Sequence, residues 1–433
     1  MSVPTTTAGA DRQVVARRAV EALRSGVPSR AAVAALGASQ TEIEDRFAAL
    51  LDQVRDGPAG APRPRGLLVG GGFGAGKSHL LEHLTHLAAQ ANFVVSRVVV
   101  SKETPLHDPA KVFRAAAESA RLPHGYEQHS ALAEAAAALD TDSAAWAELS
   151  RWVNSPHTEL NERFAATLLL FGRLGASDGE LAEAIIRFWS GDPIRVAELR
   201  RRLRETGETR FALRAVPARE LARQRLRFAA RLFTAAGYAG WVVLFDEAEL
   251  IGRYSVLQRG RSYAELARWV RGDETDPGLP LIAVVAMTDD FEAAVLSGKN
   301  DRELVPAKLR ARQTHEYDET AALAEVGMRV IDRETLLLVP PDTAELDSAY
   351  RRLKELHGEA FGWDPHEVAG LERLAATRMR QYVRAWINEW DLIRLDPEFT
   401  PATEVVDEAV APALAYDEDV KLEGTEPGDV AGD

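Results

Sequence analysis

The apolar run Gly66–Gly70 opens directly onto Gly71-Gly72-Phe73-Gly74-Ala75-Gly76-Lys77-Ser78, a full match to G-x-x-x-x-G-K-S. No other stretch constrains the fold as tightly. The run is too short for a helix and is bounded by glycines, so it reads as a buried strand. Residues 77–90 read as a helix. A glycine-rich turn between strand and helix lets successive backbone N–H groups point at one anion, and the helix adds its positive end. Gly71, Gly72, Phe73, Gly74, Ala75, Gly76, Lys77, Ser78 and His79 are therefore expected around the phosphates of a nucleoside triphosphate, ATP above all. Lys77 is expected to reach the β- and γ-phosphates, and the Ser78 hydroxyl to ligate Mg²⁺.

A second motif, Trp241-Val242-Val243-Leu244-Phe245-Asp246-Glu247, is an apolar strand ending in two acids. Alone it is weak; beside a phosphate loop it reads as the strand that serves the metal and the lytic water. Asp246 is expected to hold Mg²⁺, and Glu247 to orient and deprotonate water. An adjacent Asp-Glu pair favours hydrolysis over phosphoryl transfer to a substrate, as kinase-like relatives of this motif lack the glutamate. At the end of the run Leu281–Met287, Thr288 is expected to touch the γ-phosphate or the water as a sensor. Arg378, with Arg380 and Arg384 behind it, is the expected sensor arginine of a C-terminal lid. Arg302, Arg310 and Arg312 are candidates for an arginine finger acting on a neighbouring subunit. Glu103 is read as loop, and His79, His83 and His86 as surface residues that lack a third metal ligand.

Further strands are expected at Phe93–Val100, Trp241–Phe245, Leu281–Met287 and Thr335–Val339. Strands alternating with helices imply a parallel sheet covered on both faces. The long helical stretch from about residue 109 to 238 interrupts the alternation, with breaks expected at Pro123, Pro156, Gly172–Gly175, Gly191–Pro193 and Pro217. The expected fold is thus α/β: a P-loop ATPase sheet of the additional-strand kind with a large helical insertion and a C-terminal helical lid. The expected divisions are 1–60 (N-terminal helices), 61–112 with 237–340 (ATPase core), 113–236 (insertion), 341–395 (lid) and 396–433 (acidic, disordered tail). A Pro/Gly-rich linker, Gly57–Pro64, precedes the core.

Charge qualifies the choice of partner. The net charge is -14, but Asp396–Asp433 holds twelve acids against Lys421 alone. Between Arg195 and Arg231 there are twelve arginines and four acids. That segment is expected to hold a phosphate backbone, DNA being the candidate, or the protein's own acidic tail, or else to be a solvated helix face. The chain has no cysteine, which excludes disulfides and thiolate zinc sites. No apolar run approaches the roughly 20 residues of a membrane helix, so a cytoplasmic protein without a membrane partner is expected.

Three stretches carry a resemblance: Gly66 to Glu82, Val99 to Leu106 with His107, Asp108 and Pro109, and Leu244 to Ile251. With the opening stretch Ala16 to Pro28, they resemble the BREX-system ATP-binding domain family. The resemblance covers most of residues 12–395 and leaves out the tail. It implies an ATPase of the AAA+ kind, laid out like origin-recognition ATPases. It also implies a place in bacterial defence against phage, beside helicases or other defence proteins, and a homo-oligomer is expected. A non-catalytic, ATP-gated scaffold of a defence complex remains the alternative, with a P-loop kinase behind it.

Overall fold

Apolar runs buried on both sides set the frame. The computed structural model describes residues 6–25, 33, 36, 40–56, 66–123, 130–272, 276, 278–368 and 379–400. The linker Gly57–Pro64, the tail past Thr400 and Arg378 lie outside the described residues. Five strands, β1 (Gly66–Gly70), β2 (Phe93–Val99), β3 (Gly240–Asp246), β4 (Leu281–Met287) and β5 (Thr335–Leu337), form one parallel sheet ordered β2-β3-β4-β1-β5. The register sets Val99 beside Asp246 and Phe245 beside Val285. Every residue of β3 and β4 is buried, as expected for central strands covered on both faces. β5 ends two residues short of the expected Val339. Here Gln40 takes over: its side-chain amide accepts from Val339 N (2.9 Å) and donates to Val339 O (3.0 Å).

The chain divides into two compact units. One is drawn from Met1–Asp45, Val69–His86 and Leu336–Ala415, the other from Arg46–Leu68, Leu87–Thr335 and Tyr416–Asp433. In the first, the helices Thr6–Ser25, Thr343–Phe361 and Met379–Leu395 share one core of Val20, Leu353, Tyr382, Trp386, Ile387 and Trp390. Arg17 Nε donates to Ala360 O at 2.7 Å, joining the two ends of the chain. His357, fully buried, accepts from Trp363 Nε1 (3.0 Å) and faces Asp391 (3.2 Å).

In the second unit, the described residues between 109 and 235 are mostly helical, the longest connection being 206–217. Their core is aromatic: Phe164 packs on Phe188 and Phe228, and Trp189 on Phe228, with ring centres 5.1 to 5.4 Å apart. Trp189 Nε1 donates to Thr167 Oγ1 at 3.0 Å, so the indole is buried without an orphaned donor. The break expected at Gly172–Gly175 falls at its far end, where Gly175 caps the helix Glu162–Leu174. Gly172 does not break that helix; it lies inside it, where an added Cβ would stand 2.7 Å from the Trp146 ring. Backbone approach is closer still where His315–Glu334 crosses Val256–Arg271. A Cβ on Gly327 would stand 2.0 Å from the Tyr263 carbonyl oxygen. Gly327→Ala must push the helices apart, and urea denaturation is expected to show a loss of about 1–3 kcal/mol. An unchanged midpoint would mean the helices slide apart freely.

Candidate nucleotide-binding site

The loop after β1 is held open by backbone conformation. Gly74 and Gly76 have φ of 79° and 102°, the left-handed region that favours glycine. A Cβ on Gly76 would meet nothing within 4 Å, so conformation and not space requires glycine there. Ala75 N donates to Gly72 O (3.1 Å) and Leu80 N to Gly76 O (2.9 Å), closing the turn onto the first turn of the helix Lys77–Gln90. That helix is anchored by buried Leu80, Leu81 and Leu84. Lys77 folds back over the loop and is itself buried. Its Nζ donates to Gly71 O (2.6 Å) and Gly72 O (3.3 Å), which fixes an ammonium at the loop's mouth. Phe73 projects outward, 55% exposed at the tip. Ser78 and His79 are half-buried in the first helical turn.

At the end of β3, Asp246 is buried and its carboxylate is held on both oxygens. Arg97 from β2 donates to Oδ2 at 2.6 Å, and the backbone N–H of Glu247 donates to Oδ1 at 3.0 Å. Arg97 is the lone charge in the apolar strand Phe93–Val99, a signal present in the sequence but not taken up there. Glu247 has φ 58° and ψ 34°. A side chain in the left-handed region costs roughly 1–2 kcal/mol and persists only where the surroundings enforce it. The strain lifts an exposed carboxylate clear of the strand end. No sequence feature marked it.

The stretch after β2 lies against the same strand end. Val100 N donates to Asp246 O (3.0 Å), Ser101 and Thr104 close a tight turn, and Tyr254 OH donates to Ser101 O (2.8 Å). Asp108 caps the helix Pro109–Ser119, accepting from Ala110 N and Lys111 N, with proline at the first helical position. His107 meets the Tyr254 ring edge-on at 5.1 Å. Burial pushes its pKa down to about 4, so it is neutral near pH 7. Glu103 lies exposed on the turn, as read from the sequence.

The remaining expectations divide. Thr288 is half-buried just past β4, four residues before a π-helical turn, Glu292–Ser297. Such turns recur at functional sites. Of the finger candidates, Arg302 pairs with Glu292 and Asp332, and Arg310 with Glu325. Arg312 sits in an exposed turn. Arg384 Nε donates to Arg24 O, and Arg380 is half-buried. The histidines of the loop's helix are half-buried rather than superficial; His83 lies 3.4 Å from Glu44 and His86 3.6 Å from Glu82. Among the described residues no group of three ligands could hold a metal. The two donors read for Mg²⁺, a serine hydroxyl and a buried carboxylate, are hard oxygens of the kind that ion takes alongside phosphate and water. Among the described residues no helix is long and apolar enough to cross a membrane.

No curated protein and no solved structure matches the chain. A family match does exist, and it spans residues 12–407, nearly the whole sequence, including both acid-tipped strand and glycine loop. The chain belongs to the family of the BREX system ATP-binding protein BrxC/D.

Proposed function

We propose that this ATP-binding protein is an AAA+-type P-loop ATPase that hydrolyses ATP in phage defence and couples turnover to DNA or a DNA-bound partner. The observation that carries the reading is the loop Gly71–Ser78, with two left-handed glycines and the Lys77 ammonium fixed across its mouth. In this reading the backbone N–H groups of Gly72 to Ser78 and the first-turn residue His79 embrace the phosphates, and Lys77 leaves its carbonyl partners for phosphate oxygens. Ser78 and Asp246 hold Mg²⁺, directly or through water. That ion, when bound, neutralises charge developing on the phosphate oxygens. Arg97 keeps the Asp246 carboxylate in one orientation. Glu247 aligns and deprotonates the attacking water, while Thr288 and Arg378 bear on the transferring group as sensors. Homo-oligomerisation and contact with a helicase or other defence proteins belong to the same reading, as does a cytoplasmic site of action.

Equilibrium ATP binding with and without Mg²⁺ tests it, together with phosphate release. Ser78→Ala is expected to lose about tenfold in affinity with Mg²⁺ present and little in its absence. Wild-type protein that binds no ATP under either condition would overturn the reading.

A further inference from the structure

The arginine-rich stretch is not one surface. Arg201 pairs with Glu198, Arg202 with Asp178, Arg219 with Glu316, Arg223 with Glu265, and Arg231 with Asp276. Arg227 also lies 3.8 Å from Asp276, and Arg210 lies 3.6 Å from Glu208. These side chains are closed on carboxylates of their own chain. Their charge is largely neutralised by those partners.

A second set behaves differently and reaches outside the stretch. Arg114 comes from the helix Pro109–Ser119, Arg163 from Glu162–Leu174, Arg200 from Val196–Glu205 and Arg225 from Ala218–Ala235. Arg114 touches Asp192 at 3.1 Å, and Arg225 donates to the Asp192 backbone oxygen while lying over the Phe188 ring at 4.9 Å. Arg163 has no carboxylate partner among the described residues, and its Nε is shut from solvent without a hydrogen-bond acceptor. It also sits in the first turn of its helix, where the helix's own positive end adds to the repulsion. Burial and the charge of Arg200 lower its pKa; burial, Arg114 and Arg163 press that of Arg225 down to about 10. Arg200 is exposed, and Arg204 stands one turn further along the same helix face, exposed as well.

Four like charges from four helices share one acid between them. Arg114 is held by Asp192, and the buried Arg225 by the Asp192 backbone oxygen and the Phe188 ring, but Arg163 and Arg200 have no carboxylate partner among the described residues, and such unmet charge raises the energy of the free protein. A phosphate offsets the repulsion at the solvent-facing guanidiniums, because a guanidinium fork matches phosphate oxygens two at a time. The cluster continues along exposed Arg200 and Arg204, further than one phosphate extends, so the ligand must present several phosphates in a row.

We propose that Arg163, Arg200 and Arg204, with the exposed Arg114, form a binding site for the phosphodiester backbone of DNA, the buried Arg225 adding charge but no contact, and that the other ion-paired arginines of residues 195–231 take no part in it. The site deepens the proposed coupling to DNA and rests on that part of the reading, independently of ATP.

Binding of a labelled DNA duplex to the full chain, read by fluorescence anisotropy over a series of salt concentrations, tests the site. Arg163→Ala/Arg200→Ala is expected to weaken binding tenfold or more and to flatten the salt slope by about two counterions' worth. Arg201→Ala/Arg219→Ala removes the same charge from paired positions and is expected to stay within about threefold of wild type. Arg163→Lys/Arg200→Lys is expected to keep the wild-type salt slope while losing some affinity, since lysine keeps the charge without the fork. Thermal melting and ATP binding, run alongside, separate a folding defect from a lost contact. Equal losses in both alanine pairs, or a wild-type chain that binds no duplex at low salt, would sink the proposal. ATP binding that fails while this DNA pattern holds would sink the ATPase reading and leave the site standing.

Discussion

Glu247→Gln is expected to bind ATP within a few-fold of wild type and to release phosphate at least a hundred-fold more slowly. The amide keeps the size and the left-handed backbone of Glu247 but cannot accept a proton, and a positioned general base contributes roughly 10²–10⁴ to such a step. Asp246 keeps its hydrogen bonds from the Arg97 guanidinium and from the backbone N–H of residue 247, which glutamine also supplies. A companion variant makes the test sharper. Glu247→Gly relieves the strain of φ 58°, so it is expected to melt higher than wild type while losing the same turnover. Higher stability with lower activity is the signature of a residue strained for function. Turnover that survives both changes would remove Glu247 from the mechanism. Partner binding that depends on ATP but is indifferent to Glu247→Gln would favour the scaffold reading instead.

How much of this could be read from the residues follows from the range of the forces involved. β3 and β4 were legible because strands buried on both faces must be apolar throughout, and an uninterrupted run needs no partner to be recognised. The glycine loop was legible because left-handed backbone at Gly74 and Gly76 restricts residue type locally. The β5 boundary was not, because Gln40, about 300 residues away in sequence, supplies the last pairing. The arginine segment shows the limit most clearly. Counting gave its net charge, but Arg223 meets Glu265 and Arg219 meets Glu316 across distances that no local count can see. Arg163, whose Nε is buried without an acceptor, lay outside the window altogether. Arg97 was visible as the odd residue in its strand, yet only the register between β2 and β3 brings it to Asp246.

Asp301→Ala is expected to cost about 3–5 kcal/mol of stability, because it leaves a buried guanidinium uncompensated. Asp301 is fully buried and Arg259 is 2% exposed. Their contact is bidentate, Nε to Oδ2 at 2.8 Å and the second fork to Oδ1 at 2.7 Å, and Tyr263 OH donates to Oδ2 at 2.6 Å. Burial and the Asp301 charge raise the Tyr263 pKa well above its ordinary value, so the phenol stays a donor across the accessible pH range. Arg259 also donates to Tyr254 O at 2.6 Å. The network therefore ties the segment after Glu247 to the helix Asp301–Arg310, which follows the π-helical turn after Thr288. Replacing the pair with Arg259→Met/Asp301→Leu removes both charges together and is expected to recover most of the loss, since apolar packing often substitutes for a buried pair. Recovered stability need not restore function: the double variant keeps the core filled but frees Tyr254 O, so its ATP turnover is expected to remain below wild type. Denaturant unfolding and phosphate release on the same samples separate the two effects. A single-variant loss under about 1 kcal/mol would mean that water reaches Arg259 and that the network does not brace the strand ends.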